Sequence, residues 1–147
     1  MKLKFGAKEE SEIANMIAQV PLFSGIEKKK LKAMAETFTE RKYDTGEVIE
    51  KEGDMGVAFY LVKDGSVEIQ KGKKTIAKLG RGQFFGEMAL LDRQPRSASV
   101  VASEPTTCLL MTKWNFAGFI QSQPKLALAV MRELARRLRE TDQKLSE

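Results

Sequence analysis

The chain has 147 residues, of which 42% are hydrophobic and 31% charged, and its formal net charge is +5. This length and balance are typical of one soluble globular domain with a core of its own. The sequence holds one cysteine and no histidine, which excludes an internal disulfide, histidine ligation of zinc or haem, and a Ser-His or Cys-His nucleophile.

No segment is typical of a signal peptide or a membrane span. Charged residues follow Met1 closely, so the apolar core of a signal peptide cannot form. No window approaches the roughly 18 uninterrupted apolar residues that a membrane helix needs. We therefore expect a cytoplasmic protein without a membrane segment. The lone thiol, Cys108, lies in an apolar run and is expected to be a small buried hydrophobic group.

The first part of the chain predicts a helical lead-in over residues 9–37. Ile13 and Ile17 recur at helical spacing in a first helix, and Leu31 lies on the apolar face of a second. The second helix carries a run of lysines within residues 28–32. Such a run predicts a solvated helix face, and a nucleic-acid patch is the alternative.

From residue 38 the pattern changes to short strands separated by turn signals, which predicts a sandwich or barrel over residues 38–112. Asp64 and Gly65 between two of these runs predict a hairpin turn. The predicted strands are 38–43, 48–50, 57–62, 66–70, 75–79, 97–101 and 107–111.

The candidate functional residues lie between the predicted strands 75–79 and 97–101. Gly86 allows the backbone to approach a ligand closely. Residues 88–91 suit one turn of helix, whose first N–H groups favour an anion. Pro95 ends that turn, and Arg96 opens the next strand with a guanidinium that suits phosphate. Glu87 suits sugar hydroxyls; the alternative is that Glu87 and Arg96 are only a surface ion pair beside ordinary core residues.

After the strands the pattern is helical again over residues 113–145. A short helix carries Trp114 and Phe116, which are expected to pack in the core. Pro124 suits the first turn of a long helix that ends at about Leu145. Apolar residues lie near one side of this long helix, but they give only a weak coiled-coil pattern.

The segment from Phe85 to Val100 resembles the phosphate-binding cassette of the cyclic-nucleotide-binding domain family, to which the cAMP receptor protein and protein kinase A regulatory subunits belong. The resemblance covers roughly Val20 to Leu138. It implies a mainly β fold: an eight-stranded antiparallel β-roll, also called a double-stranded β-helix or jelly roll, flanked by N-terminal and C-terminal helices. The cassette is then inserted between the sixth and seventh strands, and residues 1–147 form a single domain.

The same resemblance assigns roles to residues. It implies that Glu87 binds the ribose 2′-hydroxyl and that Arg96 binds the exocyclic phosphate oxygens. A residue near Leu134 to Leu138 is expected to cap the base, with Arg136 and Arg137 as charged candidates and a solvated helix face as the alternative. The expected ligand site is Phe85, Gly86, Glu87, Met88, Ala89, Arg96, Ser97 and Ala98, with no catalytic residue and no metal.

The resemblance thus predicts a non-catalytic sensor or regulatory module. Its ligand is cAMP by preference, and Ser97 also allows cGMP. No cofactor is expected, and the partners beside the nucleotide are a second copy of the chain or an effector protein. Direct DNA binding is not expected, because no helix-turn-helix follows the long helix. The alternative function is a ligand-free interaction domain that keeps the fold.

Overall fold

The computed structural model describes residues 6–86 and 94–146. Within them the chain forms two compact units. One unit, Thr37–Phe116, holds the strands, and the other combines the helices of both chain ends.

The strand unit contains, among the described residues, eight strands in two antiparallel four-stranded sheets. One sheet has the order β1-β8-β3-β6, and the other has the order β2-β7-β4-β5. This arrangement confirms the predicted eight-stranded roll, and residues 87–93 lie in the chain between β6 and β7. The strands are β1 Thr39–Tyr43, β2 Val48–Glu50, β3 Ala58–Asp64, β4 Ser66–Lys71, β5 Lys74–Gly80, β6 Phe84–Phe85, β7 Ser99–Ala102 and β8 Thr106–Thr112.

The core of the roll lies between the two sheets. Residues of β1, β3, β6 and β8 meet residues of β4 and β7 in one buried cluster. The Cys108 side chain is fully buried there, as predicted, and burial raises the pKa of its thiol to about 12. The cluster is Tyr43, Ala58, Tyr60, Val62, Val67, Phe85, Val100, Ala102 and Cys108.

Phe59 of β3 packs in a second, aromatic group. The Phe59 ring lies 5.6 Å from Phe84, 6.0 Å from Phe116 and 6.2 Å from Phe38, measured between ring centroids. Phe116 is therefore a core residue, as predicted. Trp114 is not: it is 68% exposed, with the ammonium of Lys113 over its ring. The expectation that Trp114 packs in the core was wrong, because its side chain lies on the solvent-exposed face of the helix Lys113–Ser122.

The predicted hairpin at Asp64 and Gly65 was also wrong. The strands on either side, β3 and β4, belong to different sheets and do not pair with each other. Gly65 has a positive φ of 91°, and an added Cβ would lie 2.5 Å from the Pro105 carbonyl oxygen. The turn therefore carries the chain from one sheet to the other. The close approach of Pro105 leaves room only for glycine at position 65.

The helical unit is formed by α1 Ala7–Gln19, a 3₁₀ turn Pro21–Phe23, α2 Lys28–Ala35, α3 Lys113–Ser122, whose first turn belongs to the strand unit, and α4 Pro124–Ser146. Ile13, Ile17 and Leu31 are buried, as their spacing predicts, and α1 packs on α2. The lysines of α2 are exposed. In the part of the chain that the structure describes, no helix is long and apolar enough to cross a membrane.

Candidate functional site

Backbone hydrogen bonds fix Arg96 at the rim of the roll. Its N–H donates to the Asp54 carbonyl at 2.8 Å, and its carbonyl accepts from the Gly53 N–H at 2.9 Å. Pro95 forms a bridge with Met55 beside them. Arg96 therefore lies against the turn between β2 and β3. The expectation that Arg96 opens the next strand was wrong, because β7 begins only at Ser99.

The Arg96 guanidinium is buried, with only 7% of the residue exposed. Its Nη1 donates to the Gly86 carbonyl at 2.7 Å, and its Nη2 donates to the Ala58 carbonyl at 2.7 Å. On its remaining edge it meets Glu50: Nε donates to Oε2 at 3.3 Å and Nη2 to Oε1 at 3.5 Å. A residue with these contacts is not part of a surface ion pair, which was the alternative interpretation of Arg96.

Two glycines make room for this guanidinium. A Cβ added at Gly56 would lie 2.8 Å from the Arg96 Cζ, and one added at Gly86 would lie 2.8 Å from its Nη1. Gly86 also has a φ of 93°, which favours glycine. Gly86 was singled out because a ligand could approach it. In this structure its close neighbour is the arginine that is expected to bind that ligand.

Glu50 is a site residue that the sequence reasoning missed. It is 8% exposed, although Val48, two residues earlier on β2, is 53% exposed. Regular alternation would place both side chains on one face of the strand. The pairing of β2 with β7 shifts register between these two residues, and the resulting irregularity accounts for the inward turn of Glu50. The available signal was an acidic residue directly after Val48 and Ile49.

Tyr60 belongs to the polar cluster around Glu50, whereas the side-chain hydrogen bond of the nearby core residue Tyr43 is with Arg41. Burial, followed by a hydrogen bond to Glu50, raises the pKa of Tyr60, and burial also raises the pKa of Tyr43. The Tyr60 ring stacks on Phe85 with centroids 4.7 Å apart and planes 3° apart. Among the described residues, every buried side-chain nitrogen and oxygen has a hydrogen-bond partner. The cluster is therefore a satisfied buried network, of the kind that holds its members in one geometry.

The other predicted site residues divide into three groups. Phe85 is buried beside Tyr60 and lies next to Gly86 at the arginine. Ser97 is exposed and Ala98 is half-buried, both directly after Arg96. Glu87, Met88 and Ala89 lie outside the described residues, so their roles stay predictions.

The proposed base-capping arginines lie on α4. The exposed Arg136 is paired along its own helix with Glu133 and Glu140, and those two carboxylates raise its pKa. This is the solvated-face geometry that was the alternative for it. The Arg137 side chain is outside what the structure describes.

Among the described residues, the buried cation that the site could offer to an anion is the Arg96 guanidinium. Within residues 6–86 and 94–146, no group of three or more His, Cys, Asp or Glu could hold a metal ion.

Comparison with known proteins shows where this architecture occurs. The family model of the cyclic nucleotide-binding domain matches residues 40–123, which include both Glu50 and Arg96. The chain belongs to the cyclic nucleotide-binding domain family. The family predicted from the cassette is therefore confirmed.

Relatives of this domain family occur in proteins of different architecture. The chain is 39% identical over 130 residues to the cyclic AMP receptor protein of Thermus thermophilus, covering 85% of this chain and 60% of that protein. It is 34% identical over 114 residues to a cGMP-dependent protein kinase of Plasmodium berghei, covering 77% of this chain and 13% of the kinase. The crystal structure of the Thermus thermophilus catabolite activator protein matches with a TM-score of 0.76 and 39% identity, over 86% of this chain and 62% of that one. The chain thus spans less than two thirds of the length of each.

Proposed function

We propose that this chain is a non-catalytic regulatory module that binds a cyclic nucleoside monophosphate, with cAMP as the preferred ligand. The observation that carries the proposal is the Arg96 guanidinium, which is buried and hydrogen-bonded to the Gly86 carbonyl where the cassette begins. A fixed guanidinium presents its N–H groups to phosphate oxygens with little loss of side-chain entropy.

The rest of the assignment follows the family. Glu87 is proposed to accept a hydrogen bond from the ribose 2′-hydroxyl, and the cassette backbone at Met88 and Ala89 to contact the phosphate. The exposed Ser97 is free to face the phosphate or the base. The preference for cAMP is supported by the relative named cyclic AMP receptor protein, and the relative named as a cGMP-dependent kinase makes cGMP the competing ligand.

Calorimetric titration with cAMP and with cGMP tests the proposal. We expect saturable binding of one nucleotide per chain, with cAMP the tighter ligand. The double variant Glu50→Gln/Arg96→Gln removes both buried charges and keeps amide groups in their places, so it is expected to fold. Relative to the single variant Glu50→Gln, loss of a charge-assisted hydrogen bond should weaken the affinity of the double variant by about tenfold or more. Equal affinities of the double variant and Glu50→Gln would reject the role of Arg96.

One observation favours a second function. Four of the five N–H donors of the Arg96 guanidinium already have protein acceptors, which suits an interaction domain that keeps the fold and binds no nucleotide. Such a domain gives no calorimetric signal with either nucleotide. A true binder at about 100 times the dissociation constant gains about 2.7 kcal/mol of stability, which a thermal-shift assay detects.

A further inference from the structure

The buried partners of Arg96 differ in how closely they hold it. The two backbone carbonyls, of Gly86 and Ala58, lie 2.7 Å from its terminal nitrogens. The two Glu50 oxygens lie at 3.3 and 3.5 Å. Charge-assisted N–H···O bonds of good geometry measure about 2.7–2.9 Å. The carbonyls therefore hold the guanidinium in place, and the main contribution of Glu50 is its negative charge.

That charge bears directly on an anionic ligand. Glu50 and Arg96 are 8% and 7% exposed, so little solvent screens the carboxylate from a phosphate placed at the guanidinium. Of the five N–H donors of Arg96, the contacts with Glu50, Gly86 and Ala58 use four. A phosphate arriving at Arg96 thus meets a neutralised cation and an adjacent carboxylate.

We propose that Glu50 is an internal counter-anion that competes with the ligand phosphate for Arg96 and so lowers the affinity of the site for cyclic nucleotides. This inference rests on the proposed function, because the phosphate is that of the nucleotide. Removing the charge while keeping the hydrogen-bonding shape should tighten binding. Coulomb repulsion at an effective dielectric constant of about 20 corresponds to about a tenfold to hundredfold change in affinity.

Tyr60 acts on the same competition through Glu50. Tyr60 lies on the same buried face of β3 as Ala58, whose carbonyl accepts from Arg96, and a hydrogen bond to Glu50 contributes to the raised pKa of Tyr60, so Tyr60 offers that carboxylate a second partner when phosphate engages Arg96. Without the Tyr60 hydroxyl, the Glu50 carboxylate is left with fewer hydrogen-bond partners when Arg96 engages the phosphate. The nucleotide should therefore bind more weakly, by about threefold to tenfold. Tyr43 lies in the same buried cluster, but its side-chain hydrogen bond is with Arg41. Tyr60 is therefore a positioning residue for Glu50, and Tyr43 is its natural control.

The experiment compares the cAMP affinities of Glu50→Gln, Tyr60→Phe and the wild type by calorimetry. Glu52→Gln removes an exposed carboxylate two residues away, and Tyr43→Phe removes a buried hydroxyl. We expect tighter binding by Glu50→Gln, weaker binding by Tyr60→Phe, and changes within about twofold for both controls.

General damage to the fold would weaken both test variants, so opposite signs support the inference. Folded Glu50→Gln with unchanged or weaker affinity overturns it, as does equal tightening by Glu52→Gln. If Glu50→Gln does not fold, Tyr60→Phe decides: weaker binding beside an unaffected Tyr43→Phe supports the inference, and unchanged binding overturns it.

Inorganic phosphate separates this inference from the proposed function. At matched ionic strength, phosphate should raise the melting temperature of Glu50→Gln more than that of the wild type or of Glu52→Gln, because only Glu50→Gln leaves Arg96 without a counter-anion. This result supports the inference even if no cyclic nucleotide binds any variant, in which case the proposed function alone fails. If no cyclic nucleotide binds and phosphate affects all variants equally, both are overturned.

Discussion

The buried pair of Glu50 and Arg96 predicts strong coupling between two residues 46 positions apart in the chain. Replacing Arg96 by Gln leaves the Glu50 carboxylate buried without a counter-charge. Replacing both by Gln removes the charges together. The double variant should therefore be more stable than the sum of the two single losses implies.

The magnitude follows from the burial of the two side chains, which are 8% and 7% exposed. Removing one partner of such a pair costs about 3–5 kcal/mol. A domain of this size is stable by only about 5–15 kcal/mol, so Arg96→Gln alone should consume a large part of that margin. The charge pair should appear as a coupling free energy of about 1–3 kcal/mol.

Urea unfolding of the four proteins in this cycle, followed by far-ultraviolet circular dichroism, measures the coupling. The exposed pair of Arg81 and Asp64, with Nη1 and Oδ1 2.9 Å apart, supplies a control cycle whose coupling should stay below about 1 kcal/mol. The reasoning is refuted if the losses of Glu50→Gln and Arg96→Gln simply add, or if the buried pair couples no more strongly than the exposed one.

Three further predictions concern the rest of the chain. Gly65→Ala should lower the free energy of unfolding in urea by more than about 1 kcal/mol, because Gly65 has a positive φ and an added Cβ would lie 2.5 Å from a carbonyl oxygen. Gly72→Ala is the control: its φ is 61° and nothing lies within 4 Å of an added Cβ, so it should lose only the stability that the backbone conformation costs. Equal losses of stability in the two variants would contradict this prediction. The raised pKa values of Cys108 and Tyr60 mean that the folded chain keeps protons which the unfolded chain releases. Their stabilising contribution is thus complete at neutral pH and is lost as the pH rises above about 9–10, so the urea midpoint should fall there, and by less in Tyr60→Phe. Arg136→Ala should leave cAMP affinity within about twofold in calorimetry, because its ion pairs are with its own exposed helix face; a large loss would restore it as a base cap.

Local patterns predicted seven of the eight described strands, because each of these is short and bounded by turn residues, but they missed the two-residue strand β6. The strand β2 was predicted with its bounds, and most other strand ends moved by only one or two residues. The predictions that failed concern features that depend on contacts between residues distant in sequence. Asp64 and Gly65 have hairpin chemistry, but the chain there changes sheets. The spacing of Trp114 from Phe116 does not reveal which of them faces the core.

The candidate site was predictable in part. Arg96 stood out because proline and arginine follow a glycine and an acid at the spacing of the cassette. Its inner partner Glu50 could not be found, because an irregularity in pairing with β7 reverses the expected direction of its side chain. Gly56 resembled any other turn glycine until the arginine was in place beside it. The assignment of residues 1–147 to one domain and the role of Glu87 stay predictions.

The contact between Arg96 and the nucleotide phosphate is measured most directly by the side-chain ¹⁵N–¹H spectrum of the arginines, with the Arg96 signals assigned from Arg96→Lys. On titration with cAMP, the Arg96 guanidinium signals should move in proportion to the fraction of ligand bound and should show coupling to the ligand phosphorus. If cAMP binds and these signals stay in place, the phosphate lies elsewhere, and the account of the site is contradicted.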